Sequence, residues 1–80
     1  MVMAYKLPPD LTPEELTQVL LESGSTLAPN PVQDVNDEWF ISEQEWEYPE
    51  WQNFKVQYPE ITANFVYTEY VPNPKYIQNI

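Results

Sequence analysis

Eleven of the twelve aromatic residues of this chain follow Glu38, and that skew limits its folding more than anything else in the sequence. The chain has 80 residues and no cysteine, so no disulfide or thiolate-bound metal can supplement a small core. At this size only about 60% of the unfolded surface can be buried. Each buried aromatic removes roughly 150–250 Å² from water. The interior must therefore be assembled from the aromatic second half, against whatever apolar face the first half offers.

The first half offers a helix. In "LTPEELTQVLLESG", Thr12 suits an N-cap and Pro13 the first helical position, where its missing N–H costs nothing. Glu15 completes a capping box, and Leu11 with Leu16 form a hydrophobic staple. Leu16, Val19 and Leu20 recur at helical spacing, and Gly24, the only glycine, suits the left-handed residue beyond the C-cap. A helix over about 12–23 is predicted.

Residues 25–36, with Pro29 and Pro31, read as a connecting loop in which Leu27 and Val32 tuck against that helix. "EWFIS" reads as a short strand. "EWEY" alternates acid and aromatic, which as a strand puts Trp46 and Tyr48 on one face and Glu45 and Glu47 on the other. Between Pro49 and Pro59, Trp51, Phe54 and Tyr58 share a face if helical, whereas Phe54, Val56 and Tyr58 share one if extended. The Asn, Gln and Lys content and the proline spacing favour a second short helix over about 49–57. "ITANFVYTEYV", residues 61–71, is the longest strand candidate, with Ala63, Phe65 and Tyr67 on one side and Val66 and Tyr70 on the other. The expectation is a single small α+β domain over 1–80, its helices packed on a small antiparallel sheet. Residues 1–9 and 72–80 read as loosely ordered tails, the latter with Tyr76, Ile77 and Ile80 available for docking.

Thirteen acids against three lysines and no arginine give a formal net charge of −10. Binding a phosphate backbone requires cations, so direct nucleic-acid binding is not expected, and an anionic membrane surface would repel the chain. No run approaches the roughly 18 apolar residues of a membrane span, and "MVMAYKLPPD" lacks a signal peptide's apolar stretch. A cytoplasmic location is the expectation.

The commonest catalytic groups are missing. With no His, Cys or Arg, the chain has carboxylates, hydroxyls and lysines for chemistry, and 80 residues leave little room for a dry cleft that would retune a carboxylate. A non-enzymatic role is expected, with no cofactor. Residues 34–45 superficially fit a calcium loop through Asp34, Asn36, Glu38 and Glu45. Its sixth position is Trp39, where that loop needs glycine for a sharp turn, so no metal site is assigned.

Asp34, Asp37, Glu38, Glu43, Glu45, Glu47 and Glu50 put seven negative charges into seventeen residues that also hold Trp39 and Trp46. If 43–47 is extended, Glu43, Glu45 and Glu47 form a row about 6.6 Å apart, resembling the charges of a nucleic-acid strand. Aromatic residues anchor interfaces and charges steer encounter. The partner-binding candidates are Asp37, Glu38, Glu43, Glu45, Trp46, Glu47 and Glu50. They point to a basic protein surface, that of a nucleic-acid-binding protein or a toxin. The function expected is inhibition or neutralisation of such a partner, as by a nucleic-acid mimic acting on a nuclease or CRISPR-type effector, or by an antitoxin or immunity protein. The alternative is an accessory subunit held in a larger assembly by an apolar aromatic surface, its acidity serving only solubility.

Overall fold

The computed structural model describes residues 1–74, in which four short helices lie on one face of a four-stranded antiparallel sheet. The first helix, α1 (Pro13–Glu22), begins and ends as its local signals require. Thr12 Oγ1 accepts from the Glu15 amide at 3.1 Å, and Glu15 Oε1 accepts from the Thr12 amide at 2.9 Å. At the other end Gly24 has φ +78°, and the Gly24 and Ser25 amides donate to the Leu21 and Leu20 carbonyls. Leu16 and Leu20 are buried, and Leu27 beyond the helix packs partly against the same core.

The sheet has the order β2–β3–β1–β4. Its inner strand β1 (Met3–Lys6) comes from the segment whose sequence suggested a loose tail. It pairs with β3 (Trp39–Ser42) through Tyr5↔Ile41 and with β4 (Val66–Glu69) through Tyr5↔Tyr67. A four-residue strand just ahead of Pro8 is too short to stand out by periodicity. Pairing on both sides makes these residues a strand, since each edge satisfies backbone groups that water would otherwise hold. Ala4 is accordingly buried. Val32 also departs from expectation. It lies in β2 (Val32–Gln33), paired with Phe40 of β3, rather than in a loop against α1.

β2 and β3 are joined by a tight turn organised by Asp34. Its Oδ1 accepts from the Asn36 and Glu38 amides, both at 2.9 Å, and Asp37 takes the left-handed φ of 64° that the turn demands.

After β3 the chain turns helical at once. Ser42 caps α2 (Glu43–Trp46) by accepting from the Glu45 amide at 3.1 Å, so "EWEY" is not extended. A serine capping a run of Glu and Gln outweighs the two-residue alternation, because the cap satisfies an otherwise orphaned donor. Helix α3 (Pro49–Gln57) buries Trp51 and Phe54 and ends before Pro59, the first residue of α4 (Pro59–Thr62). The strand expected over 61–71 is therefore shortened at its start. Its later part keeps the expected sidedness: Phe65 and Tyr67 face the helices, while Val66 and Tyr70 face away.

The helix side of the sheet carries the main core, centred on Leu7, Ile41, Trp46, Trp51 and Phe65. The segment after β4 lies against the opposite side, where Val71 O accepts from the Val35 amide and Pro72 bridges to Asp34. In the same segment Tyr70 packs edge-on against Phe40, and its hydroxyl donates to the Gln33 carbonyl at 3.1 Å. Asn73, within the segment expected to be a loose tail, is buried and donates to Asp37 Oδ1 at 3.1 Å. Tyr76, Ile77 and Ile80 lie outside the described residues.

Candidate functional site

The seven residues singled out by charge and aromaticity do not form one surface. Two of them belong to the interior. Glu45 is 7% exposed, and its Oε2 accepts from the Trp51 indole Nε1 at 3.0 Å and from the Asn30 amide at 3.1 Å. The carboxylate thus ties α2 to α3 and to the loop after α1. Trp46 is 4% exposed, sandwiched between Tyr5 at a centroid distance of 4.2 Å and Trp51 at 5.3 Å. Neither side chain can serve as an outward contact, and the expected row of Glu43, Glu45 and Glu47 does not form. The reason is the helical turn at 43–46, which rotates Glu45 inward and leaves Glu43 and Glu47 one turn apart.

The remaining five fall in three places. Asp37 and Glu38 lie in the turn before β3, beside the half-buried Trp39. Glu38 is neutralised there by Lys6, with Nζ to Oε2 at 2.6 Å. Glu50 sits in the first turn of α3 and lines an open depression with Ser23, Ser25 and Phe54, at the end of α1. Glu43 and Glu47 lie at the start and end of α2, at the other end of β3, close to the rings of Tyr5 and Tyr67.

That third place is the best-formed acid–aromatic site. The Tyr67 hydroxyl donates to Glu43 Oε2 at 2.7 Å, and the ring, 46% exposed, lies 4.8 Å from that of Tyr5. The hydrogen bond to Glu43 is the main cause of a raised Tyr67 pKa. Burial raises that of Tyr5, with Glu43 and Glu47 adding to it through their negative field. Glu43 thus acts on both rings, and Glu47 on that of Tyr5. Among the described residues no lysine lies within ion-pair distance of either. Lys55 instead sits over the Trp46 ring at 5.4 Å.

Sequence reasoning missed Tyr5 and Tyr67 as members of this site. Tyr5 was hidden in an N-terminal segment too short to stand out by periodicity. Tyr67 was placed on the right face, but no local rule joins it to a glutamate 24 positions earlier.

Asp34, the most buried of the acids at 4% exposed, spends its carboxylate on backbone amides of its own turn, and β3 takes up what would be the second half of a calcium loop. Among the described residues no three potential metal ligands converge, and no helix is long and apolar enough to cross a membrane. No protein-family model, curated protein or solved structure matches the chain.

Proposed function

We propose that this protein is a non-enzymatic acidic binding protein that docks on a basic surface of another protein and blocks it. The observation that carries the reading is the pairing of Glu43 and Glu47 with Tyr5 and Tyr67, two uncompensated carboxylates around a pair of packed rings. Buried carboxylates such as Glu45 are held by the fold's own donors, whereas Glu43 and Glu47 have spare acceptor capacity facing out. Arginine and lysine side chains satisfy that capacity, and their stems and guanidinium planes pack on tyrosine rings. The net charge of −10 extends the attraction over the approach path and raises the rate of encounter with a cationic partner. A partner that uses the same cationic surface for a polyanion is inhibited by competition, which fits a nuclease, another nucleic-acid-binding protein or a cationic toxin.

The test is affinity capture from the cell of origin on the immobilised protein, followed by elution in rising salt. Screening lengths fall from about 10 Å at 0.1 M to about 3 Å at 1 M. A basic protein released within that range, whose nucleic-acid binding or toxicity the acidic chain suppresses, is the expected result. Captured proteins that are neutral or acidic and resist 1 M salt would refute the reading and favour an apolar subunit contact.

A further inference from the structure

We infer that the basic partner is bound by strand addition: an extended segment with Lys or Arg at every second position pairs with the free edge of β4. This rests on the reading of Glu43 and Glu47 as the site for a basic partner and specifies how that partner engages.

Hydrogen-bond alternation defines the free edge. The Tyr70 amide donates to Val2 O at 2.7 Å, which makes 2↔70 a bonded pair in the β1–β4 ladder, and with it 4↔68 and 6↔66. The Leu7 amide donates to Trp39 O at 2.9 Å, confirming that the odd residues of β1 turn toward β3. Tyr67 and Glu69 therefore direct their backbone N–H and C=O away from β1. Among the described residues β4 pairs with β1 alone, so those groups have no strand partner there. The usual protections of an edge are a lysine, a proline or a bulge. Val66–Glu69 has only its shortness and one acid.

The two faces of that edge differ in a way that selects the incoming side chains. On the helix side stand Tyr67 and Glu69, with Glu43 bonded to the Tyr67 hydroxyl. On the opposite side stand Val66, 54% exposed, and Thr68, with Lys6 beside Val66 in the next strand. A cation is attracted to the first face. On the second it meets an apolar surface and, among the described residues, no free carboxylate, Lys6 being paired with Glu38. Side chains of an added strand alternate between faces, so a segment reading cation–apolar–cation–apolar satisfies both at once. A second copy of this chain suits the edge poorly. It carries the same charge of −10, and pairing β4 with β4 brings Glu43 and Glu69 of both copies to one edge.

The probe is a synthetic peptide of alternating lysine and valine, about eight residues long, enough to cover a four-residue edge with overhang. It is compared with an oligolysine of equal charge and with the alternating peptide N-methylated at every second residue. Binding is followed by amide exchange and chemical shifts of the isotope-labelled protein. The expected result is at least tenfold tighter binding of the alternating peptide than of either control, with tenfold or greater slowing of exchange at the Tyr67 and Glu69 amides. The variant Glu69→Pro, which removes an outward amide without taking a hydrogen bond from β1, should lose that preference while retaining the wild-type melting temperature. If all three peptides bind alike and neither amide is protected, strand addition is overturned while attraction of a cation to Glu43 and Glu47 stands. If none binds at low salt, both readings fall. Self-association through β4, seen by sedimentation together with protection of the same amides without peptide, overturns the basic-strand assignment.

Discussion

Replacing Glu45 by alanine should destabilise the fold far more than removing any exposed acid, although both substitutions relieve the same excess of negative charge. The Glu45 carboxylate accepts from the buried Trp51 indole and from the Asn30 amide, and hydrogen bonds to a charged group contribute about 1.5–3 kcal/mol each. Asn30 is an exposed residue and its amide can turn to water, but the Trp51 N–H is left in an interior where that side chain is 0% exposed. The net loss for Glu45→Ala is therefore about 2–4 kcal/mol. For an 80-residue chain, whose whole stability is on the order of 4–12 kcal/mol, this is a large fraction. Glu45→Gln retains an uncharged acceptor and should lose about half as much. Urea unfolding followed by tryptophan fluorescence gives the values, with an unchanged m-value showing that stability rather than compactness has moved. The control is Glu47→Ala, whose exposed carboxylate should lie within about 0.5 kcal/mol of wild type. Equal midpoints for Glu45→Ala and Glu47→Ala would refute the reasoning, because they would put Glu45 on the surface with its neighbour.

Two further outcomes follow from the fold. Deleting residues 1–6 removes the strand between β3 and β4, so cooperative unfolding should be lost, whereas removal of a loose tail would shift stability by no more than about 0.5 kcal/mol. The folded protein holds the phenols of Tyr5 and Tyr70 above the ordinary value of 10.0 mainly through burial, and that of Tyr67 mainly through its bond to Glu43. A raised folded-state pKa favours the protonated form, so this contribution is fully present below pH 10 and is lost as pH rises beyond it. Phenolate absorbance should show delayed ionisation, and Glu43→Gln should bring Tyr67 back down.

What could be read in the sequence was what local rules govern. The α1 boundaries follow from Thr12, Glu15 and Gly24, each of which acts within four residues of a helix end. The choice of helix for 49–57 followed from two prolines and the polar residues between them. The α+β class needed no more than these elements and the β-rich stretch near the C-terminus. Failures came where a tertiary partner decides. Val32 and Met3–Lys6 are strands because other strands lie beside them. The segment around Glu45 was misread by weighing the acid–aromatic alternation of 45–48 above the Ser42 cap, and a shift from extended to helical backbone turns Glu45 and Trp46 inward together. Charge density along the chain singled out Glu43 and Glu47, which the fold leaves exposed. It could not separate carboxylates that face solvent from one consumed by an indole, since that distinction depends on Trp51 and Asn30 arriving from elsewhere.

The most direct test concerns where the charge sits, independent of how much there is. Affinity for the captured basic partner is measured for the wild type, for Glu43→Lys with Glu47→Lys, and for Glu14→Lys with Glu22→Lys, which changes net charge equally on the exposed side of α1. A loss of a hundredfold or more in the first variant, against less than about fivefold in the second, is the predicted result at 0.1 M salt, where charges more than about 10 Å apart are screened. Equal losses in the two variants, or an unchanged affinity in the first, would contradict a binding site built from Glu43, Glu47 and their tyrosines.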